Sequence, residues 1–369
     1  MPNNFSGKEG LDETPNRPPR EFRAEERLSV PVWGEHDDRR WDRLRRPLRR
    51  VHSYYAFMLY QDVYQQMIPF RAQESGYRVV LEPHDGEELR SIVGRALSGD
   101  YYRTGLEDAL RSFLEEAATA LVLCGRTAYE IVYLLDRETG ELVEFQLAQV
   151  PPGSYFRRLG REFQYVPRDR EQGRRGRVVQ LGKDRLLVAS FPPRRRWQLQ
   201  RMFSALDIAS EWTASTPALQ HEALFERLPY DFSVHRRYLD VAVARATTAV
   251  GWDARGTFRE RQLEPYRTWR QLQFEAFKIQ VRDVLISALN EALQKVGKRM
   301  GWLATIRALG LPTMDDVRQA EQDLRTGSCA VEDVIGRFLW HQAAASGPDD
   351  GETSSSPPVG GEAREDENR

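Results

Sequence analysis

Residues 105–135 read GLEDALRSFLEEAATALVLCGRTAYEIVYLL, and a change of period inside them decides the fold. From Leu106 the apolar residues Ala109, Leu110, Phe113, Leu114, Ala117 and Leu121 recur at three- and four-residue steps, the spacing of one helix face. Thr104 and Glu107 stand at the spacing of a capping box, which predicts the helix start. Gly125 predicts its stop, because glycine takes the left-handed cap conformation without a Cβ penalty. Cys124, just past the stripe, is expected as packing rather than as a nucleophile. Beyond Gly125 the period falls to two, and Thr127–Leu135 predicts a strand.

Working outward toward the C-terminus, strands are predicted at Glu141–Leu147, Ser154–Leu159, Glu162–Val166, Arg177–Leu181 and Arg185–Phe191. Asp136–Gly140, Gly160 and Gly182–Asp184 supply the turns, so 127–191 is expected as an antiparallel meander of about six strands. Helical periodicity returns at Trp197–Trp212, Pro217–Arg227, Val234–Thr248 and, longest, about Pro265–Lys298. Along that last helix Trp269, Phe277, Val281 and Leu285 are the expected core or self-association positions, and the charges Glu275, Arg282 and Asp283 are expected on a solvated face. Thr313 and Asp316 form a second capping box, Gly327 ends that helix, and one more runs to about His341. Toward the N-terminus, Asp38–Gln66 is helical with Pro47 as a candidate break, Tyr77–Glu82 is a short strand and Glu87–Ala96 a helix.

The domain plan is then a disordered arm over 1–37, a helical part over 38–126, the meander over 127–191, a helical region over 192–342 and a disordered acidic tail over 343–369. The fold class is α+β, with helices packed on an antiparallel meander and one long helix in the C-terminal half.

Lys plus Arg number 54 and Asp plus Glu 55, a formal charge of −1. The tail alone is −5, so the rest of the chain is basic, and nearly all of that charge is arginine. No apolar run reaches the roughly 18–20 residues of a membrane span, and Met1–Arg20 lacks the apolar core of a secretory signal. Two cysteines, Cys124 and Cys329, exclude a disulfide scaffold and Cys-rich zinc modules. Gly176 to Lys183-Asp184 misses a phosphate loop in spacing and lacks its Ser or Thr. His221-Glu222 begins a zinc-helix motif that Phe225 breaks, and no nucleophile elbow or dinucleotide fingerprint is present. No cofactor is called for. Three arginine clusters remain: Arg39–Arg50 on the first helix, Arg168–Arg177 between strands, and Arg194–Arg196 after the last strand. Within them Arg174, Arg175, Arg194, Arg195 and Arg196 are the candidate contacts with nucleic acid or a docking partner; solvated surface is the plain alternative.

The order of several phrases resembles the bacteriophage portal, or head–tail connector, proteins, the Mu-like branch in particular. The phrases are Tyr60-Gln-Asp-Val-Tyr64 on a helix, a strand ending in Pro83, Gly125-Arg-Thr-Ala-Tyr-Glu-Ile-Val-Tyr133, the corner Val150–Phe156, and Leu186–Pro192. They span about residues 50–300. The resemblance implies a non-enzymatic structural protein of the virion, assembled in the bacterial host cytoplasm. It implies a ring, commonly of twelve subunits, at a capsid vertex. The meander would form the wing and the long helix a channel or subunit contact. The implied partners are further copies of the chain, the major capsid protein, the terminase motor, tail or adaptor proteins and double-stranded DNA in transit, with no membrane. The stem and clip of that family are not identifiable between Trp197 and Tyr230. The competing reading is a cytoplasmic adaptor or non-specific nucleic-acid-binding protein.

Overall fold

The computed structural model describes residues 22–338 except 33–37, 50–52, 66, 69–75, 84, 99–104, 169–174, 215–231, 257–262, 331–332 and 335–337. The tail 343–369, the helix expected at Pro217–Arg227 and most of the helix expected to end at His341 lie outside the described residues.

The period change at Gly125 is real. Helix α4 spans Leu106–Cys124 and strand β3 spans Arg126–Asp136, with Gly125 between them at φ 72°. A side chain there would be strained by that φ and would also run into Arg196. Cys124 is buried, and burial pushes its thiol up to about 12, out of reach of thiolate chemistry. The helix begins differently from expectation. Its N-cap is Gly105, with no side-chain cap. Glu107 accepts from the Val79 N–H at 3.2 Å and from Arg90 at 2.9 Å, and Thr104, its expected capping-box partner, lies outside the described residues.

Strand β3 is buried along most of its eleven residues, which marks a central strand needing neighbours on both edges. Strand β4 (Leu142–Gln149) takes one edge. Two strands share the other: β8 (Leu186–Ser190) pairs with 126–130 and β1 (Phe22–Ala24) with 134–136. The single meander expected over 127–191 is therefore corrected. Strands β5 (Tyr155–Arg158), β6 (Arg161–Val166) and β7 (Arg177–Leu181) leave β3 and make their own antiparallel sheet. A further antiparallel pair joins β2 (Arg78–Glu82) to β9 (Thr305–Leu309), an element the sequence reading did not find. The result is α+β with antiparallel sheets, as expected at that level.

Helices α1 (Arg39–Arg49) and α2 (Tyr54–Gln65) divide after Arg49, two residues beyond the expected break at Pro47. Helix α3 is Glu87–Ser98, α5 Pro193–Ala214, α6 Phe232–Thr247 and α8 Met314–Thr326. The Thr313–Asp316 capping box forms in both directions and Gly327 closes α8 at φ 66°. Helix α7 covers Glu264–Met300, 37 residues and so about 55 Å at ~1.5 Å per residue. It is apolar on two sides. Phe277, Val281 and Leu285 join the main core with Leu110, Leu121 and Phe191, whereas Leu272 and Ile279 meet Val317 and Ala320 of α8.

The arm expected over 1–37 contains ordered structure. Beyond β1, residues 27–32 run as a strap over β3 and β6. The buried Glu130 carboxylate accepts from the N–H groups of Leu28 and Ser29 at 2.9 and 2.6 Å. Gln164 exchanges two hydrogen bonds with the Val30 backbone, at 2.8 and 2.7 Å.

Candidate functional site

Helix α1 carries Trp41 and Leu44 at helical spacing and arginine at most other positions. That pattern buries one face and turns charge outward. Trp41 packs with Val32 and Tyr165 on the β5–β6–β7 sheet, and Phe156 and Leu44 flank the contact. Asp38 caps the helix. One carboxylate oxygen accepts from the N–H groups of Arg40 and Trp41 at 2.9 and 3.3 Å. The other accepts from the Tyr165 hydroxyl at 2.6 Å and the Arg168 N–H at 3.1 Å. Partial burial acts to raise the Asp38 pKa, but these four donors outweigh it and hold the carboxyl below its usual value. Burial, reinforced by the Asp38 carboxylate, pushes Tyr165 up to about 12.

Asp38 therefore ties two arginine clusters that are far apart in sequence into one surface. Arg39, Arg40 and Arg43 of α1 are exposed, with Arg40 seated 4.4 Å over the Tyr165 ring. Arg168 and Arg175 are exposed at the end of the sheet beside Asp38. Arg174 lies outside the described residues. Alternation along the strands adds two more. Arg158 faces Arg161 directly across the β5–β6 turn, on the same pleat as Phe156, Phe163 and Tyr165. None of these seven arginines has an ion-pair partner among the described residues. The hairpin tip between Arg158 and Arg161 is Leu159-Gly160, with Leu159 at φ 50° and 92% exposed. A leucine in the left-handed region and like charges directly opposed both work against the local structure. Sequence reasoning saw the turn at Gly160 but missed its arginines; Arg158-x-Gly160-Arg161 across a two-residue loop was the available signal.

Arg194–Arg196 lie elsewhere and do not act alike. Arg194 is exposed. Arg195 donates to the Ala249 carbonyl at 3.1 Å, sits 5.1 Å over the Phe277 ring and has its pKa lowered by burial. Arg196 is half-buried against Gly125. Arg195 also lines an open groove of about 840 Å³ shared with Gln273, Gln280, Asp283 and Glu291 of α7.

The face of α7 expected to be solvated is largely internal. Lys278 is 2% exposed and pairs with Glu275 at 2.7 Å. Burial lowers the lysine pKa and raises that of the glutamate, each opposed by the other's charge. Arg282 donates to the Pro312 carbonyl at 2.6 Å, and of the expected trio only Asp283 projects into water. Arg270, fully buried, donates to the Ala244 carbonyl at 3.0 Å, to Thr247 at 2.7 Å and to the Trp252 carbonyl. Trp252 in turn donates from its indole to Asp62 at 2.7 Å, the acid of the Tyr60–Tyr64 phrase. Asp62 also accepts from Arg255 at 2.8 Å.

The four long-helix positions singled out from sequence separate. Phe277, Val281 and Leu285 are core residues, while Trp269 is 37% exposed and stacks on Tyr266 with ring centres 5.7 Å apart. Other large apolar side chains stand in water too: Leu263 before α7, Trp197 and Ile208 on α5, and Val234, Tyr238 and Val241 on α6. The α6 trio recurs at four- and three-residue steps, so it forms one stripe. Among the described residues no group of three or more His, Cys, Asp or Glu is placed to hold a metal ion, and no helix is long and apolar enough to cross a membrane.

No protein family matches the chain, and no curated protein does. Among the solved structures similar to it in part are two particle necks. One is the neck of an empty gene transfer agent (GTA) particle computed with C6 symmetry, at 13% identity and a TM-score of 0.46, covering 82% of this chain and 92% of that one. The other is the neck of the native GTA particle computed with C12 symmetry, at 13% identity and a TM-score of 0.45, covering 84% and 95%. A likeness of this degree assigns no residue of this chain a role.

Proposed function

We propose that the chain is a structural, ring-forming connector of a phage-like particle, acting by assembly and carrying no catalytic step. The observation that carries this is the apolar stripe on α6, with Tyr238 at 69% exposure between Val234 and Val241. A stripe at helical spacing left in water is a surface built to be covered. Further apolar side chains stand exposed on α5 and at the start of α7, so the chain offers unlike patches rather than one self-complementary patch. Unlike patches meet head to tail, and head-to-tail contacts that close make rings. The sequence resemblance to portal proteins supports the same reading. In it the ring sits at a capsid vertex and double-stranded DNA passes through it. The packaging motor, capsid protein and tail or adaptor proteins are its neighbours.

The test is native mass by light scattering after size exclusion, at low and high salt. The wild type is expected as one large discrete species. Tyr238→Asp with Val241→Asp, both at exposed positions, is expected to give a folded chain of lower mass. A wild-type monomer at every salt and protein concentration overturns the proposal, as does a double variant of wild-type mass.

A further inference from the structure

We propose that the composite arginine face of α1 and the β5–β6–β7 sheet binds the phosphate backbone of duplex DNA without regard to sequence, at a site separate from the self-association stripe. Arg39, Arg40 and Arg43 come from the helix, Arg158 and Arg161 from the hairpin, and Arg168 and Arg175 from the sheet end. They are brought together by the Trp41–Tyr165 packing and the Asp38 hydrogen bonds, so the face is held in shape rather than being a chance crowding of flexible side chains.

Asp38, at the junction, makes no ion pair with the outward guanidinium groups: each of its oxygens accepts two hydrogen bonds, all from uncharged N–H and O–H donors. Glu162, under the hairpin, is likewise buried, with Tyr155 donating to it and Arg157 beside it at 3.4 Å. Arg158 and Arg161 confront each other across the hairpin with no carboxylate partner among the described residues. An opposed like-charge pair costs stability in isolation and is relieved when an anion lies over both. A nucleic acid fits better than a protein partner. Protein interfaces deplete charge at their core even though arginine is enriched across them, whereas here seven guanidinium groups are exposed and the large apolar side chains exposed on the sheet are two, Leu159 at the tip and Val178 opposite Tyr165. Backbone contacts of this kind position a duplex without reading its bases.

The test uses the full-length chain and a 20–30 base-pair duplex of arbitrary sequence, with affinity measured from about 50 to 200 mM KCl. Seven phosphate contacts predict a slope of log K against log salt of about −6, at ~0.9 per contact. Arg39→Gln, Arg43→Gln, Arg158→Gln and Arg161→Gln together are expected to flatten it to about −3 and to weaken binding at low salt at least tenfold. Arg40 is left in place because it packs on Tyr165. The control replaces four exposed arginines elsewhere, Arg78, Arg307, Arg318 and Arg325, and is expected to keep the wild-type slope. Native mass measured on the same samples reports self-association separately. Equal slopes for the quadruple variant and wild type overturn the proposal, as does a wild type that fails to bind at 50 mM. Binding that appears only after deletion of the acidic tail 343–369 also overturns it, by assigning the face to the chain's own tail.

Discussion

Glu130 is the place where one side chain decides whether a whole segment is attached. Its carboxylate is 1% exposed and accepts two consecutive backbone N–H groups of the strap, Leu28 at 2.9 Å and Ser29 at 2.6 Å. Hydrogen bonds to a charged acceptor contribute about 1.5–3 kcal/mol each, so the pair amounts to about 3–6 kcal/mol of local attachment. Glu130→Ala removes both bonds and leaves the buried Ser29 N–H without an acceptor. Glu130→Gln is expected to be nearly as harmful. A glutamine amide has one accepting oxygen, and its NH₂ would face the second N–H, donor against donor. The loss is felt first by the strap, so the assay is hydrogen exchange at residues 22–32, followed with native-state proteolysis. A loss of about 3 kcal/mol corresponds to exchange faster by roughly a hundredfold. The β3–β4 ladder should keep its protection, because its pairing from Tyr129 to Leu135 does not use the Glu130 side chain. Unchanged exchange at Leu28 and Ser29 in Glu130→Ala would refute the reasoning, as would equal acceleration across β3 and β4.

Two other outcomes follow from packing and charge. Phe277→Ala should cost roughly 3–5 kcal/mol, since the ring is fully buried, and lower the melting temperature by on the order of 10 °C; Trp269→Ala, at a partly exposed position, should leave the melting temperature within a few degrees of wild type and act on native mass instead. Asp38, whose folded pKa is depressed, contributes stability that is complete above its unfolded value of about 3.9 and is lost as pH falls through the folded one; Asp38→Asn should therefore melt lower than wild type at neutral pH, and that difference should shrink as pH falls below about 4.

What the sequence showed well was local. The run from Leu106 to Asp136 announced helix, stop and strand through apolar spacing and one glycine, all of which neighbours in the chain determine. Thr313 and Asp316 were legible for the same reason. What it hid was long-range. Strands Ser154–Leu159 and Glu162–Val166 were found, yet nothing in their alternation says which sheet they enter. The β-period is the same whether a strand continues past β4 or folds away. Phe22–Ala24 has only three residues, and its pairing with β3, like that of Thr305–Leu309 with β2, exists only once the chain has folded. Glu275 and Arg282 were misplaced because charge was taken to mean water, whereas a helix apolar on two sides buries what lies between, provided each charge finds a partner such as Lys278 or the Pro312 carbonyl. The candidate site was half visible: its arginines on α1 were plain, but their meeting with Arg158 and Arg161 depends on Asp38 reaching across 127 residues to Tyr165.

Helix α7 has a mechanical meaning in this arrangement. A bare apolar cylinder between two greasy cores could roll or slip with little resistance, because leucine packs acceptably in many registers. Arg270 and Arg282 act as pins at two heights along the shaft, seated on acceptors of α6, of the turn after it and of the loop before α8, whereas Lys278 takes its partner Glu275 from the same helix. A rotation of one residue, about 100°, would pull both arginines off their seats and leave unpaired charges in the interior. Torque or thrust applied at the Tyr266 end is therefore delivered to the Met300 end and to the sheets beside it, with the helix turning as a keyed axle rather than a loose one.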